Sequence, residues 1–282
     1  MNKELERIIM TAGDLPTIPV VATKVMQMIE DPDSTAEAVA NTISADPAVA
    51  ARVLKIANSS FYGCQRQIQT LPHAIMILGF STLKSLVVAA SVKQVYHPFG
   101  LTEKLLWEHS FGAGLASRVI ARRTRLVNEE EAFLGGLFHD MGKLIMNFMD
   151  PDKFKEVMQL CYNDGLSFED AEKQIFPYTH EEVGALVIKK WNFPDHLMKV
   201  IMEHHRLEFE PEEDPYLVRL TAVVSLANLF CHRFGIGNIN GEEEIDLATT
   251  KPVETLELSD ELLEDLLLTF QETFEQNQDF FS

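Results

Sequence analysis

His139 and Asp140 stand side by side in Phe138-His139-Asp140-Met141-Gly142-Lys143, directly behind the apolar run Ala132-Phe133-Leu134-Gly135-Gly136-Leu137. Neighbouring helix positions point about 100° apart, so such a pair either ends an element or lines a cavity. An imidazole and a carboxylate delivered together from an apolar helix suit a metal or phosphate site. The plain alternative is a capped helix end with one satisfied histidine. Four further histidines favour the chemical reading: His109, His180 and the adjacent pair His204-His205. Apart from the two adjacent pairs, each falls on or at the end of a different predicted helix. Imidazole and carboxylate are donors that suit iron, manganese or zinc. Met in the middle of a helical bundle, these side chains would chelate one or two ions, as bundle-core metal sites do.

The elements that must deliver them are legible as helices. A helix from Thr102 to about Thr124 bears His109 and ends in the basic cluster Arg122-Arg123-Thr124-Arg125, where cations meet the negative end of the helix dipole. Asn128 caps the acidic first turn Glu129-Glu130-Glu131, and that helix leads into His139-Asp140, with Lys143 one turn after His139. Pro151 to Asn163 is amphipathic and stops at Asp164-Gly165, and Ser167 opens a short helix. Thr179-His180-Glu181-Glu182 has the pattern of a capping box, which places His180 in a first helical turn. The helix from Pro194 ends in His204-His205, and an apolar helix from Pro215 to Phe234 carries Asn228.

Upstream, the first 97 residues read as five or six short helices joined by tight loops, a subdomain without a ligand cluster. Its signals include a capping box at Ser34-Thr35-Ala36-Glu37, the start Asp46-Pro47, and a helix broken at Gly79. Residues 98–239 form the predicted histidine-bearing helical core. Residues 240–282 are an acidic tail with 13 acidic residues against one basic, Lys251. The tail ends in an amphipathic helix striped by Leu258, Leu262, Leu266, Phe270 and Phe274, which packs on its own domain or recruits a partner. Long runs have helical period and few have period two, so the fold is predicted all-α, a multi-helix bundle.

Apolar residues make up 46% of the 282, enough for a sizeable core. The net charge of −19 repels phosphate backbones and argues against nucleic acid as a partner. Cys64, Cys161 and Cys231 are far apart, as reduced core thiols of a cytoplasmic protein would be. The N-terminus has no apolar signal region, and the apolar stretch around Leu86-Val87-Val88-Ala89-Ala90 is too short for a bilayer, so no membrane association is expected.

Gly135-Gly136-Leu137-Phe138-His139-Asp140-Met141-Gly142-Lys143, followed by His180…Gly184, Trp191…Pro194 and His204-His205, resembles the HD phosphohydrolase superfamily. Leu15-Pro16-Thr17-Ile18-Pro19, Ile43-Ser44-Ala45-Asp46-Pro47, Ala57-Asn58-Ser59-Ser60-Phe61-Tyr62 and Leu71-Pro72-His73-Ala74-Ile75 are similar to the HDOD family, the HD-related output domain of bacterial signalling. The resemblance covers about residues 12–235. It implies an all-α fold and a role in signal transduction with other signalling proteins as partners, often without catalysis. By position it implies that His109, His139 and Asp140 match the first metal-binding residues of HD enzymes. His180, His204 and His205 match the extra ligands of two-metal members, and Asn228 stands where the superfamily has a final aspartate. Nothing like Gly-Tyr-Pro follows His205, and Leu105 stands one turn before His109, where some polynuclear relatives supply a glutamate.

Charge then separates the readings. Two divalent ions bring +4 against one firm carboxylate, Asp140, so an anion completes the site, or one ion binds, or none does. A residual positive site would draw a phosphate or nucleotide ligand. Taken with the resemblance, which implies the signalling role, this gives as the expected reading a non-catalytic signalling module with a His/Asp metal pocket. The alternative is a metal-dependent phosphohydrolase or phosphodiesterase, in which Asp140 holds the metal and Lys143 stabilises developing charge.

Overall fold

The computed structural model describes residues 3–11, 15–59, 62, 67–96, 100–206, 208–209, 213–237 and 245–277. Cys64, Phe61 and the expected boundary around His97-Pro98-Phe99 lie outside them. The described residues are helical, with no strand among them. Contacts group the chain into two units, one comprising Met1–Pro16 and Leu101–Leu266, the other Thr17–Gly100 and Leu267–Ser282.

The second unit is built around one helix. α2 (Val20–Glu30), α3 (Ala36–Ser44) and α4 (Pro47–Ala57) all pack on α5 (Leu71–Val92). Asp46 opens α4 by accepting from the N–H groups of Ala48 and Val49, with Pro47 in the first turn, where its missing N–H is not needed. Thr35, rather than Ser34, caps α3 by accepting from Ala38 N–H. The two hydroxyls are adjacent in the sequence, and the extended backbone at Thr35 decides which one reaches the orphan donor. Gly79 interrupts α5 with φ 78°, a left-handed conformation that other residues adopt only under strain. Beyond it, Leu83, Leu86, Val87, Val88, Ala89, Ala90 and Val92 are buried together. The apolar run is longer than the sequence reading allowed. Leu71–Tyr96 is long and apolar enough by composition to cross a membrane, with mean hydropathy 1.9 and 56% of its apolar window buried. The core helix of a globular protein meets the same criterion.

The first unit carries the candidate site histidines. α6 (Leu101–Thr124) packs on α7 (Glu129–Phe138) and α13 (Pro215–Arg233), and α7 also packs on α13. Close approach of α6 and α7 requires a bare backbone at Gly136, because a Cβ there would overlap the Ala113 carbonyl and the Ser117 hydroxyl. α8 (Met141–Met149) packs on α11 (His180–Lys190), which in turn packs on α12 (Asp195–Glu203) and on α1 (Lys3–Thr11). Asp150 ends α8 and caps α9 (Pro151–Asp164), which stops at Gly165 in the left-handed region, and α10 (Phe168–Ile175) folds back on α9. The basic cluster at the end of α6 is used internally. Arg122 pairs with Glu129 at 3.0 Å and Arg123 with Asp265, and one turn earlier Arg118 pairs with Glu130 at 2.7 Å. After α14 (Lys251–Thr255), α15 (Asp260–Gln276) buries Leu263, Leu266 and Phe270. Its buried positions include Leu263 rather than the expected Leu262.

Candidate metal centre

α7 ends at Phe138 and α8 begins at Met141, so His139 and Asp140 form the joint between them. Asp140 occupies the N-cap position of α8 but makes no capping hydrogen bond. Its carboxylate turns inward instead, and both residues are buried, His139 at 0% and Asp140 at 3% exposure. Asp140 therefore does not act as the helix cap that the plain alternative supposes. Gly142 makes the turn inward feasible: a Cβ there would overlap the carbonyl oxygen of His180, so only glycine lets α8 start against the N-terminus of α11.

Seven predicted residues meet around that carboxylate. One oxygen, Oδ2, accepts from Lys143 Nζ at 2.7 Å and lies 3.5 Å from both His109 Nε2 and His139 Nε2. The other, Oδ1, lies 3.3 Å from His180 Nε2 and 3.7 Å from His204 Nε2. His205 Nε2 is 3.3 Å from His180 Nε2, which places it on the same side. Asn228 Oδ1 is 2.9 Å from His109 Nε2. The donor atoms fall into three overlapping groups: two share Asp140, with His109 and His139 in one and His180, His204 and His205 in the other, and the third sets Glu172 and Glu181 against His180.

The far side of each ring explains its orientation. Nδ1 of His109 faces Ile236 O at 3.0 Å, that of His139 faces Gly136 O at 2.7 Å, and that of His204 faces Ile201 O at 2.8 Å. Nδ1 of His180 faces Glu172 Oε2 at 2.8 Å. A carbonyl or carboxylate oxygen only accepts, so each Nδ1 holds a proton and a neutral ring presents a bare Nε2 to the centre. Metal-bound histidines are held in this way by outer partners. The bare lone pairs then crowd one another. His180 Nε2 lies 3.4 Å from His204 Nε2, and His109 Nε2 meets the Asn228 carbonyl, unless that amide is turned. His139 Nε2 and Asp140 Oδ1 are buried and have no hydrogen-bond partner. A buried polar atom left unpaired costs about 1–3 kcal/mol. A cation among these atoms would satisfy them together, so the residues present fit a metal ion.

The electrostatics point the same way. Burial pushes the Asp140 pKa up, but the charges of His139, Lys143, His180 and His109 outweigh it and hold the carboxyl well below its usual range. Burial pushes His139 down to about 4, a shift that Asp140 only partly offsets. Burial and the neighbouring rings hold His204 and His205 well below the usual histidine value. Burial also opposes charge on His180, yet Glu172 outweighs it and raises that ring's pKa. Burial thus keeps His139, His204 and His205 neutral and able to ligate, while the Glu172 carboxylate works against burial at His180.

Three residues of the site escaped the sequence reading. Glu172 on α10 is fully buried against His180, and Glu181 lies next to it in the chain, its Oε2 3.5 Å from His180 Nδ1. His232 stands one helical turn after Asn228 on α13, its ring 5.2 Å from that of His109, and burial pushes it down to about 3. The four-residue step from Asn228 to His232 was a readable helical signal. Glu172 had none, because its approach to His180 crosses the loop between α10 and α11. Beside the centre is a cavity of about 30 Å³, lined among others by Leu105, His109, Asp140, Lys143, Phe168 and His232. Lys143 Nζ lies 4.1 Å from the centre of the Phe168 ring, within cation–π range.

The class is an all-α protein that buries a histidine–aspartate joint among further histidines. This chain belongs to the HDOD domain family, whose model matches residues 15–207. A solved HDOD domain protein of unknown function from Geobacter sulfurreducens is 26% identical, with TM-score 0.80 over 96% of this chain and 95% of its own. A candidate phosphohydrolase from Shewanella amazonensis SB2B shares the fold, with TM-score 0.74, 24% identity and 97% of each chain covered. An uncharacterized protein of Treponema pallidum (strain Nichols) is 24% identical over 229 residues, which is 77% of this chain and 42% of that protein. The chain thus spans less than half the length of that relative.

Proposed function

We propose that this chain is a bacterial signal-transduction module in which the His/Asp centre binds a divalent transition metal, and beside it a phosphate-containing ligand, without turning that ligand over. The observation that carries the metal reading is the convergence of bare Nε2 atoms on Asp140, with His139 Nε2 and Asp140 Oδ1 buried and unpaired. Imidazoles with a carboxylate and an amide oxygen suit iron, manganese or zinc. His109, His139, Asp140, His180, His204 and His205 would hold the metal, and Asn228 would add a neutral oxygen. The cavity, with Lys143 and a bound cation on one wall, suits a phosphate group by charge. Other signalling proteins would read the liganded state. The formal charge of −19 speaks against nucleic acid.

The second reading is a metal-dependent phosphohydrolase or phosphodiesterase. It is favoured by Lys143, whose ammonium sits 2.7 Å from Asp140 Oδ2 at the cavity wall. A bound metal would supply Lewis acidity and lower the pKa of a water. Lys143 would stabilise charge developing on phosphorus-bound oxygens, and Asp140 would hold Lys143 in place. The amide of Asn228, where a carboxylate would add charge, favours the first reading.

Two measurements decide. Elemental analysis of freshly purified protein is expected to find stoichiometric transition metal; its absence, with no uptake on titration, sinks the metal reading. Hydrolysis of a model phosphodiester is expected to be no faster with wild type than with His139→Ala. A metal-dependent rate lost in that variant would establish the second reading in place of the first.

A further inference from the structure

We infer that two carboxylates outside the ring of donors, Glu172 and Glu181, set this centre for a single divalent cation, and that Glu172 is the positioning residue for His180. This rests on the metal reading above. Glu172 is 0% and Glu181 6% exposed, deeper than carboxylates sit without a counter-charge. One oxygen of Glu172, Oε2, accepts from both the backbone N–H and the ring Nδ1–H of His180, each at 2.8 Å. Two donors from one residue fix the ring's rotation as well as its tautomer, so Nε2 is held on Asp140 Oδ1 at 3.3 Å. The remaining oxygen of Glu172 and Oε2 of Glu181 are buried and have no hydrogen-bond partner. Hydrogen bonding to His180 therefore does not account for all of their charge. Counted together, Asp140, Glu172 and Glu181 face one buried ammonium, Lys143, in this cluster. With His180 neutral, as ligation through Nε2 requires, the excess is two negative charges, which one divalent ion cancels. Two ions would leave an equal excess of the opposite sign in a medium of low dielectric.

The probe is Zn²⁺ added to chelator-stripped full-length protein, followed by calorimetry and elemental analysis. The expected result is one ion per chain for wild type. Glu172→Gln keeps an oxygen that accepts both N–H groups but loses the charge; it should bind Zn²⁺ about 10–100-fold more weakly, with an unchanged helical spectrum. In the Co²⁺-loaded protein the same variant should shift one exchangeable imidazole N–H signal, that of His180, and leave those bonded to backbone carbonyls in place. A purely structural role for Glu172 would not move that signal. Glu181→Gln removes charge without removing a hydrogen bond from its unpaired oxygen, and it should also weaken binding if Glu172→Gln fails to fold. Two ions bound with similar affinity, or unchanged affinity in the variants, overturns this inference and leaves the metal reading standing. No Zn²⁺ on wild type overturns both.

Discussion

Asp140 Oδ1 and His180 Nε2 lie 3.3 Å apart at the start of two helices, α8 and α11, whose backbones touch at Gly142. This contact joins the two halves of the donor set. Asp140 brings His109 and His139 with it, and His180 brings His204 and His205. Whatever alters the α8–α11 crossing should therefore alter the whole centre.

Gly142→Ala tests the crossing. The added methyl would occupy the position of the His180 carbonyl oxygen, and backbone cannot step aside as a flexible side chain can. Overpacking of this kind costs about 1–3 kcal/mol. The urea midpoint should fall by a corresponding amount and metal affinity should fall with it. A variant as stable as wild type would mean that α8 and α11 are not packed this closely.

His204→Ala tests the donor set. His204 is 1% exposed and its Nδ1 is anchored on Ile201 O at 2.8 Å, so its Nε2 is a fixed donor. Its loss should lower metal content at least tenfold, on the scale of outer-partner losses, while circular dichroism shows the helices intact. Unchanged metal content would remove this residue from the shell.

Lys143→Met tests charge compensation. The buried ammonium is the hydrogen-bonded partner of Asp140, and removing one member of a buried pair costs about 3–5 kcal/mol. The metal-free variant should melt well below wild type, and added Zn²⁺ should restore much of the difference, because the cation supplies a new counter-charge to Asp140. Equal melting of the two metal-free proteins would show that Asp140 does not depend on Lys143.

Acid should destabilise the metal-free protein. An unfolded histidine titrates near 6.5. In the fold, burial pushes His139 down to about 4 and His232 to about 3, and holds His204 and His205 well below that value. Between roughly pH 6.5 and 4 the unfolded chain therefore binds more protons than the folded one, and stability falls as pH falls. Asp140, whose folded pKa is depressed, acts in the same direction at still lower pH. His180 opposes them: its raised pKa makes a contribution that is present in acid and lost as pH rises through that value. Four rings outweigh one, so chemical denaturation at pH 7 and pH 5 should show a net loss on the order of a few kcal/mol. A flat profile would mean that these rings are not buried in the neutral form.

The helices and most of their starts were legible in the sequence because their causes are local. Asp46 and Asn128 cap through side chains two and three residues away, and the apolar spacing of α6, α7 and α13 is a property of consecutive residues. The choice of histidines was legible too, because His139-Asp140 and His204-His205 are polar pairs at the ends of apolar helices. Tertiary structure alone decided three things. It turned Asp140 from a helix cap into the hub of the cluster, through the backbone contact that Gly142 permits with a residue 38 positions later. It placed Glu172 under His180, across a loop whose path no periodicity encodes. It also set the charge of the site: the sequence does not tell which neighbouring carboxylates turn inward, and packing buries Glu172 and Glu181 around His180. Local rules reach about one helical turn along the chain, whereas a charge count in a low-dielectric interior sums over every group that the fold brings within a few ångströms.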